Sequence, residues 1–141
     1  MIVKHPRDYV IDNLQYALNP KSIAVVGASR YSTKVGYKVV DGLKLWGYKG
    51  DIYPVNPRAD KVNGLKTYPT VKDIPEEVDL AFLAVPAHIV KSVLEDCVAK
   101  KVKIVVIATS AFKEIGRGAL QDDLTQYCRD NKLPLIGPNL V

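Results

Sequence analysis

Ser22-Ile23-Ala24-Val25-Val26-Gly27-Ala28-Ser29 is the stretch from which the rest of this chain can be read. Four apolar residues, three of them β-branched, have strand character and stop at Gly27. A loop of hydroxyls and cations follows: Ser29, Arg30, Ser32, Thr33 and Lys34. Glycine at such a turn lets the backbone approach an anion, and hydroxyls supply rotatable donors. A helix starting near Lys34 aims its unpaired N–H groups at the same place. This is the chemistry of a phosphate cradle, and it predicts a nucleotide-like ligand.

Outward from that strand, apolar runs at Asp51 to Val55, Leu80 to Val85, Lys103 to Ile107 and Leu133 to Ile136 alternate with stretches of helical periodicity. Val39, Val40, Leu43 and Trp46 form a stripe over Val35 to Trp46. Ile89, Val93, Leu94 and Cys97 form another over Ile89 to Val98, and Leu120, Leu124, Tyr127 and Cys128 a third over Ala119 to Arg129. Asp8 to Asn19 reads as an amphipathic lead-in helix through Val10, Ile11, Leu14 and Leu18, stopped by Pro20. Asn63-Gly64 marks a turn, and Val71 to Pro75 a short crossover. Strands alternating with helices, each strand apolar nearly throughout, predict an α/β fold. It is Rossmann-like and doubly wound, a mostly parallel five-stranded sheet with helices on both faces. One domain over residues 1–141 is expected, with the lead-in helix at 8–19.

In such a sheet every loop after a strand lies on one edge, and ligands bind where the strand order reverses. That gathers Gly27 to Lys34, Asn56 to Lys61, Pro86 to His88, Thr109 to Lys113 and Gly137 to Asn139 onto one rim. The usual dinucleotide signature is absent: Gly27 is followed by Ala28 and Ser29, the next glycine is Gly36, and the second strand ends without an acid, in Asn56-Pro57-Arg58. A cation there suits an extra phosphate on the ribose, as in NADP or coenzyme A, so Arg58 discriminates, with Lys61 as its possible helper.

Composition narrows the alternatives. The 141 residues carry a formal charge of +5, but the cations are dispersed and no recognition motif accompanies them, so no nucleic acid is expected. No apolar stretch is long enough to span a membrane and no secretory leader is evident, which reads as cytoplasmic. Cys97 and Cys128 sit in helical patterns rather than a CxxC or a Cys/His cluster, so buried thiols are expected and no metal site. No catalytic set assembles around His5 or His88. The pairs Glu76-Glu77 and Asp122-Asp123 read as solvated surface. Tyr31 lies inside the phosphate loop, where it could stack on or cap a ligand, while Tyr37, Tyr48, Tyr53 and Tyr68 read as packing residues.

Five segments in order carry a family resemblance: Pro20 to Ser29, Tyr53 to Arg58, Val78 to Ala87, Phe112-Lys113-Glu114 and Ile136-Gly137-Pro138-Asn139. Together, over about Pro20 to Asn139, they resemble the CoA-binding N-terminal domain of NDP-forming acyl-CoA synthetases, and more distantly the succinyl-CoA synthetase alpha subunit. The resemblance implies that coenzyme A or acyl-CoA is the ligand, held by its ADP moiety and 3′-phosphate. Ser29 to Ser32, Arg30 included, would sit where that family's first-strand loop holds the CoA phosphates, within the cradle already read from Gly27, Ala28, Thr33 and Lys34. Asn56, Pro57 and Arg58 would border the adenosine. Val85 and Pro86 would form an apolar wall near the adenine. Thr109, Ser110, Ala111 and Phe112 would line the pantetheine path, with Ala111 where the family usually has glycine. In the synthetases Gly-Pro-Asn leads to further domains, including one with a phosphorylated histidine and an ATP-grasp partner. Such domains are the implied partners here, and the first domain of a longer synthetase is favoured over a stand-alone CoA-binding protein. An NADP-binding oxidoreductase domain and a non-catalytic nucleotide sensor are the alternatives.

Overall fold

The computed structural model describes residues 8–108 and 117–137, and the side chains of the last helix from Gln121 onward. Five parallel strands form one sheet: β1 (Ser22–Val26), β2 (Asp51–Val55), β5 (Leu80–Leu83), β6 (Ile104–Ile107) and β7 (Leu135–Ile136), in the order β2-β1-β5-β6-β7. The register pairs Ser22 with Asp51 and Val26 with Val55 on one side, and Ile23 with Leu80 and Val26 with Leu83 on the other. Helices α3 (Val35–Leu45), α4 (Ala87–Lys100) and α5 (Arg117–Asp130) connect them.

Successive side chains of a strand point to opposite faces, and the core divides accordingly. Ala24, Val26, Val55, Ala81, Leu83, Val105 and Ile107 cluster with Val90, Leu94 and Cys97 of α4 and with Leu124 and Cys128 of α5. Ile23, Val25, Leu80 and Ile104 cluster with Val40 of α3. This is the doubly wound, Rossmann-like arrangement that near-continuous apolar strands require, because both faces are covered. Both cysteines are free and buried. Burial pushes the Cys97 thiol up to about 12 and that of Cys128 to about 11. Among the described residues no group of three or more His, Cys, Asp or Glu could hold a metal, and no helix is long and apolar enough to cross a membrane.

Between β2 and β5 the chain makes a small antiparallel hairpin, β3 (Lys61–Val62) and β4 (Leu65–Lys66). Its turn is Asn63-Gly64, with φ of 52° and 75°, the backbone that two-residue hairpins favour. A 3-10 turn follows at Val71–Asp73, where Thr70 and Asp73 cap each other's backbone. Tyr68 bridges Val55 in parallel, so this segment extends the sheet edge beside β2.

Two sequence expectations about packing do not hold. The lead-in helix is two short pieces, α1 (Asp8–Asn13) and α2 (Gln15–Leu18). Ile11, Leu14 and Leu18 face solvent, while Tyr16 and Ala17 touch the core. The break at Leu14 takes the expected stripe out of register. Trp46 is 90% exposed rather than packed. Helix α3 ends at Leu45, so Trp46 is its C-cap, with φ −85° and ψ 4°, and has left the helical stripe.

Candidate functional site

The chain moves from β1 outward to β2, then returns past β1 to β5, so the strand order reverses between β1 and β5. A crevice outside the carboxyl ends of these strands is the consequence. It is a cavity of about 1010 Å³, bounded by the loops after β1, β2 and β5, the segment Pro69–Val71 and one flank of α4.

Its floor is a close contact between glycines. Gly27 has φ +88°, and a Cβ there would lie 2.2 Å from the Ala84 carbonyl oxygen. Gly36, in the first turn of α3, packs on Gly27 so tightly that a Cβ would lie 1.9 Å from the Gly27 carbonyl oxygen. In a dinucleotide fold the third glycine of GxGxxG lets the helix approach the strand in this way. Here the same duty falls to Gly36, nine positions after Gly27, because the intervening loop is longer. A fixed-spacing motif search passes over it.

The predicted residues divide by position. Gly27, Ala28, Ser29 and Lys34 line the cavity, as do Asn56, Pro57 and Arg58 after β2 and Val85 and Pro86 after β5. Arg30, Ser32 and Thr33 do not, and all three are exposed on the outer part of the loop. The loop turns outward because Ser29 Oγ accepts the Tyr31 N–H at 3.0 Å; Tyr31 is exposed too. Lys61 also stands off the lining: Val62 points into the core, and alternation along β3 sends Lys61 to solvent. Thr109, Ser110, Ala111, Phe112, Lys113, Glu114, Pro138, Asn139 and His5 lie outside the described residues.

Asn56 joins two of the loops. Its Nδ2 donates to the Ala28 carbonyl at 2.8 Å, and its Oδ1 accepts the Arg58 N–H at 2.7 Å. Its backbone N–H donates to the Tyr68 carbonyl at 3.0 Å. The side chain thus fixes the turn that carries Arg58 relative to the glycine loop. Lys34 is the N-cap of α3 and lines the cavity, so it enters the site at the end of the helix that carries the free N–H groups. Pro86 is the N-cap of α4, so a second helix starts at the same rim. Pro at this place has no N–H of its own to satisfy.

Sequence reasoning missed one wall. Pro69, Thr70 and Val71, and Ile89, Ser92, Val93 and Asp96 of α4, line the cavity beside His88, which belongs to the rim loop Pro86 to His88 already expected there and is exposed. Val35 and Ile89 are apolar side chains exposed at 42% and 38%, both on the lining. The available signal was the step of four from His88 to Ser92 to Asp96, which places them on one helix face.

Comparison with known proteins agrees with this geometry. The family model described as a CoA binding domain matches residues 21–141. The ADP-forming acetate–CoA ligase II of Archaeoglobus fulgidus is 44% identical over 134 residues, covering 94% of this chain and 20% of the ligase. The chain therefore spans about a fifth of that relative's length. A dinucleotide-forming acetyl-coenzyme A synthetase 1 from Ca. Korarchaeum cryptofilum, solved with phosphate and ADP, superposes with a TM-score of 0.84 at 42% identity, covering 90% of this chain and 27% of that one. A conserved hypothetical protein of Pyrococcus furiosus superposes with a TM-score of 0.72 at 25% identity, covering 85% of this chain and 95% of that shorter chain.

Proposed function

The chain belongs to the CoA-binding domain family, and from that premise we propose that it holds coenzyme A in the crevice between β1 and β5, by the ADP moiety and the 3′-phosphate. The observation that carries this reading is the convergence of the Gly27 turn, the N-termini of α3 and α4, Lys34 and Arg58 on one cavity. Positive helix ends and two cations favour a ligand with several phosphates. The pyrophosphate fits against Ala28 and Ser29 beside Gly27, whose own N–H is donated to the Val55 carbonyl at 3.1 Å and whose missing side chain lets a ligand approach the backbone. Arg58, fixed by Asn56, suits the 3′-phosphate. Val85 and Pro86 supply an apolar surface for the adenine. The pantetheine path is assigned to Ser110, Ala111 and Phe112 by resemblance alone.

In a synthetase this domain would present the CoA thiol to an acyl group activated on other domains, and the acyl chemistry would belong to those partners. The module itself supplies binding and orientation.

Calorimetric titration of CoA, dephospho-CoA and NADPH tests the reading. CoA is expected to bind more tightly than NADPH, and a response to NADPH alone would replace this reading with the oxidoreductase one. A charge-assisted hydrogen bond contributes about 1.5 to 3 kcal/mol, so Arg58→Ala is expected to weaken CoA roughly 10 to 150-fold. Dephospho-CoA affinity should scarcely change. Equal losses for both ligands would remove the 3′-phosphate from Arg58.

A further inference from the structure

The wall that sequence reasoning missed bears on which base the cavity takes, an inference that rests on the coenzyme A reading. His88, Ser92 and Asp96 follow one face of α4 for about 12 Å from the rim. At the end away from the rim, Ser92 and Asp96 share the lining with Pro69, Thr70 and Val71. That opposing segment is held against α4: Lys72 pairs with Asp96 at 3.5 Å, and Lys100 Nζ donates to the Ile74 carbonyl.

The hydroxyl hydrogens of the side chains lining this end are already committed. Ser92 Oγ donates to the Ile89 carbonyl at 2.8 Å, and Thr70 Oγ1 donates to Asp73 Oδ2 at 2.8 Å. A carboxylate such as that of Asp96 has acceptor sites alone. Lys72, the nearby donor, engages the Oδ1 atom of Asp96 and is not on the lining. The side chains therefore offer lone pairs between the apolar surfaces of Val71 and Val93. Adenine carries an amino group at its 6-position, a double donor. Guanine and hypoxanthine carry an oxygen there, which would meet acceptors without a hydrogen between them; their N1–H donor lies one ring position away, so it reaches the same acceptors only if the base shifts from the adenine position.

We propose that Asp96, with Ser92 and Thr70, forms an acceptor-only wall that selects the 6-amino group of adenine and rejects 6-oxopurines. Asp96 is the principal specificity determinant, because its second carboxylate oxygen is left for the ligand.

The test is calorimetry on the full chain with adenosine 3′,5′-bisphosphate and inosine 3′,5′-bisphosphate, a pair whose bases differ in the group at position 6 and the ring proton it sets. The inosine compound is expected to bind at least roughly tenfold more weakly. In Asp96→Asn the side-chain amide can turn a donor toward a 6-oxo group, and the ratio should fall to about threefold or less. Equal wild-type affinities would overturn the proposal, and so would an Asp96→Asn ratio unchanged from wild type. Should Asp96→Asn fail to fold, Ser92→Ala, which leaves the Lys72 pair intact, takes its place: a reduced ratio supports the wall and an unchanged one overturns it. CoA titrated alongside separates the two readings. If CoA binds and the purine ratio is flat, this inference alone fails; if CoA does not bind, the coenzyme reading fails and takes this one with it.

Discussion

At the carboxyl rim of the sheet, Lys34 and Arg58 line a cavity where α3 and α4 begin. At the amino rim, Lys101, Lys103 and Lys132 line a pocket of about 220 Å³ where α4 and α5 end. The cations are of one kind, but the helix ends beside them are opposite. Free N–H groups share the sign of the cations at the first rim, whereas free carbonyls at the second are opposite in sign to the lysines on that side. Lys101, at φ 62°, closes α4 by donating its N–H to the carbonyls of Cys97 and Val98. Lys132, at φ 52°, does the same for α5 through Arg129. Similar charge thus stands beside helix N-termini in a cavity at one end of the molecule and beside helix C-termini at the other. Net charge carries no such distinction, which depends on the direction of the helices.

That contrast can be broken most severely at the glycine floor. Gly36→Ala forces a methyl group onto the Gly27 carbonyl. It is expected to lower stability by about 3 kcal/mol and CoA affinity by more than roughly 100-fold. Urea denaturation and calorimetry measure the two losses, and retention of normal affinity would show that α3 can withdraw without cost to the site.

A substitution at the amino rim should affect stability without affecting the ligand. Ser22 Oγ donates to the Glu77 carbonyl and accepts the Asp79 N–H, each at 2.9 Å, while Asp79 accepts the Lys21 N–H. Ser22→Ala leaves a buried N–H and a carbonyl without their partner, at a cost of about 1 to 3 kcal/mol. In the folded protein CoA affinity should stay within roughly twofold, as checked by denaturation and titration of the same sample.

Smaller effects sharpen the comparison of cations. Lys34→Ala should weaken CoA and dephospho-CoA alike by roughly tenfold, because a pyrophosphate contact is common to both. Replacing Lys101, Lys103 and Lys132 together by alanine removes more charge, yet should change CoA affinity by less than roughly twofold at physiological salt, since screening attenuates their field across the molecule. A larger effect from the triple variant than from Lys34→Ala would mean that overall charge, not rim polarity, governs binding.

The sequence made strand positions legible because each run had to be apolar on both faces, and β1 in particular appears where Ile23 to Val26 placed it. Gly27 was legible from the break in that run. Asn63-Gly64 was legible as a turn, although the short strands beside it were not, since two-residue strands leave no periodicity to detect. Trp46 was misread because an apolar stripe does not announce the residue at which its helix stops. Ser92 and Asp96 went unassigned for another reason: they resemble ordinary surface residues until the segment Pro69 to Val71 is brought opposite them across the cavity.

The amino-acid order by itself determined the alternation of strands and helices, the glycine turn and the cation at the end of β2, because these follow from local periodicity and backbone freedom. Tertiary structure alone decided that Gly36 supports Gly27, that Asn56 braces Arg58, and that Asp96 faces a cavity while Lys61 does not. Gly36 meets Gly27 where α3 docks on β1, and Asn56 ties the turn that carries Arg58 to the Ala28 carbonyl of the neighbouring loop. Asp96 reaches the lining through the docking of α4 beside Pro69 to Val71, so these contacts are set by three-dimensional packing rather than by neighbours along the chain.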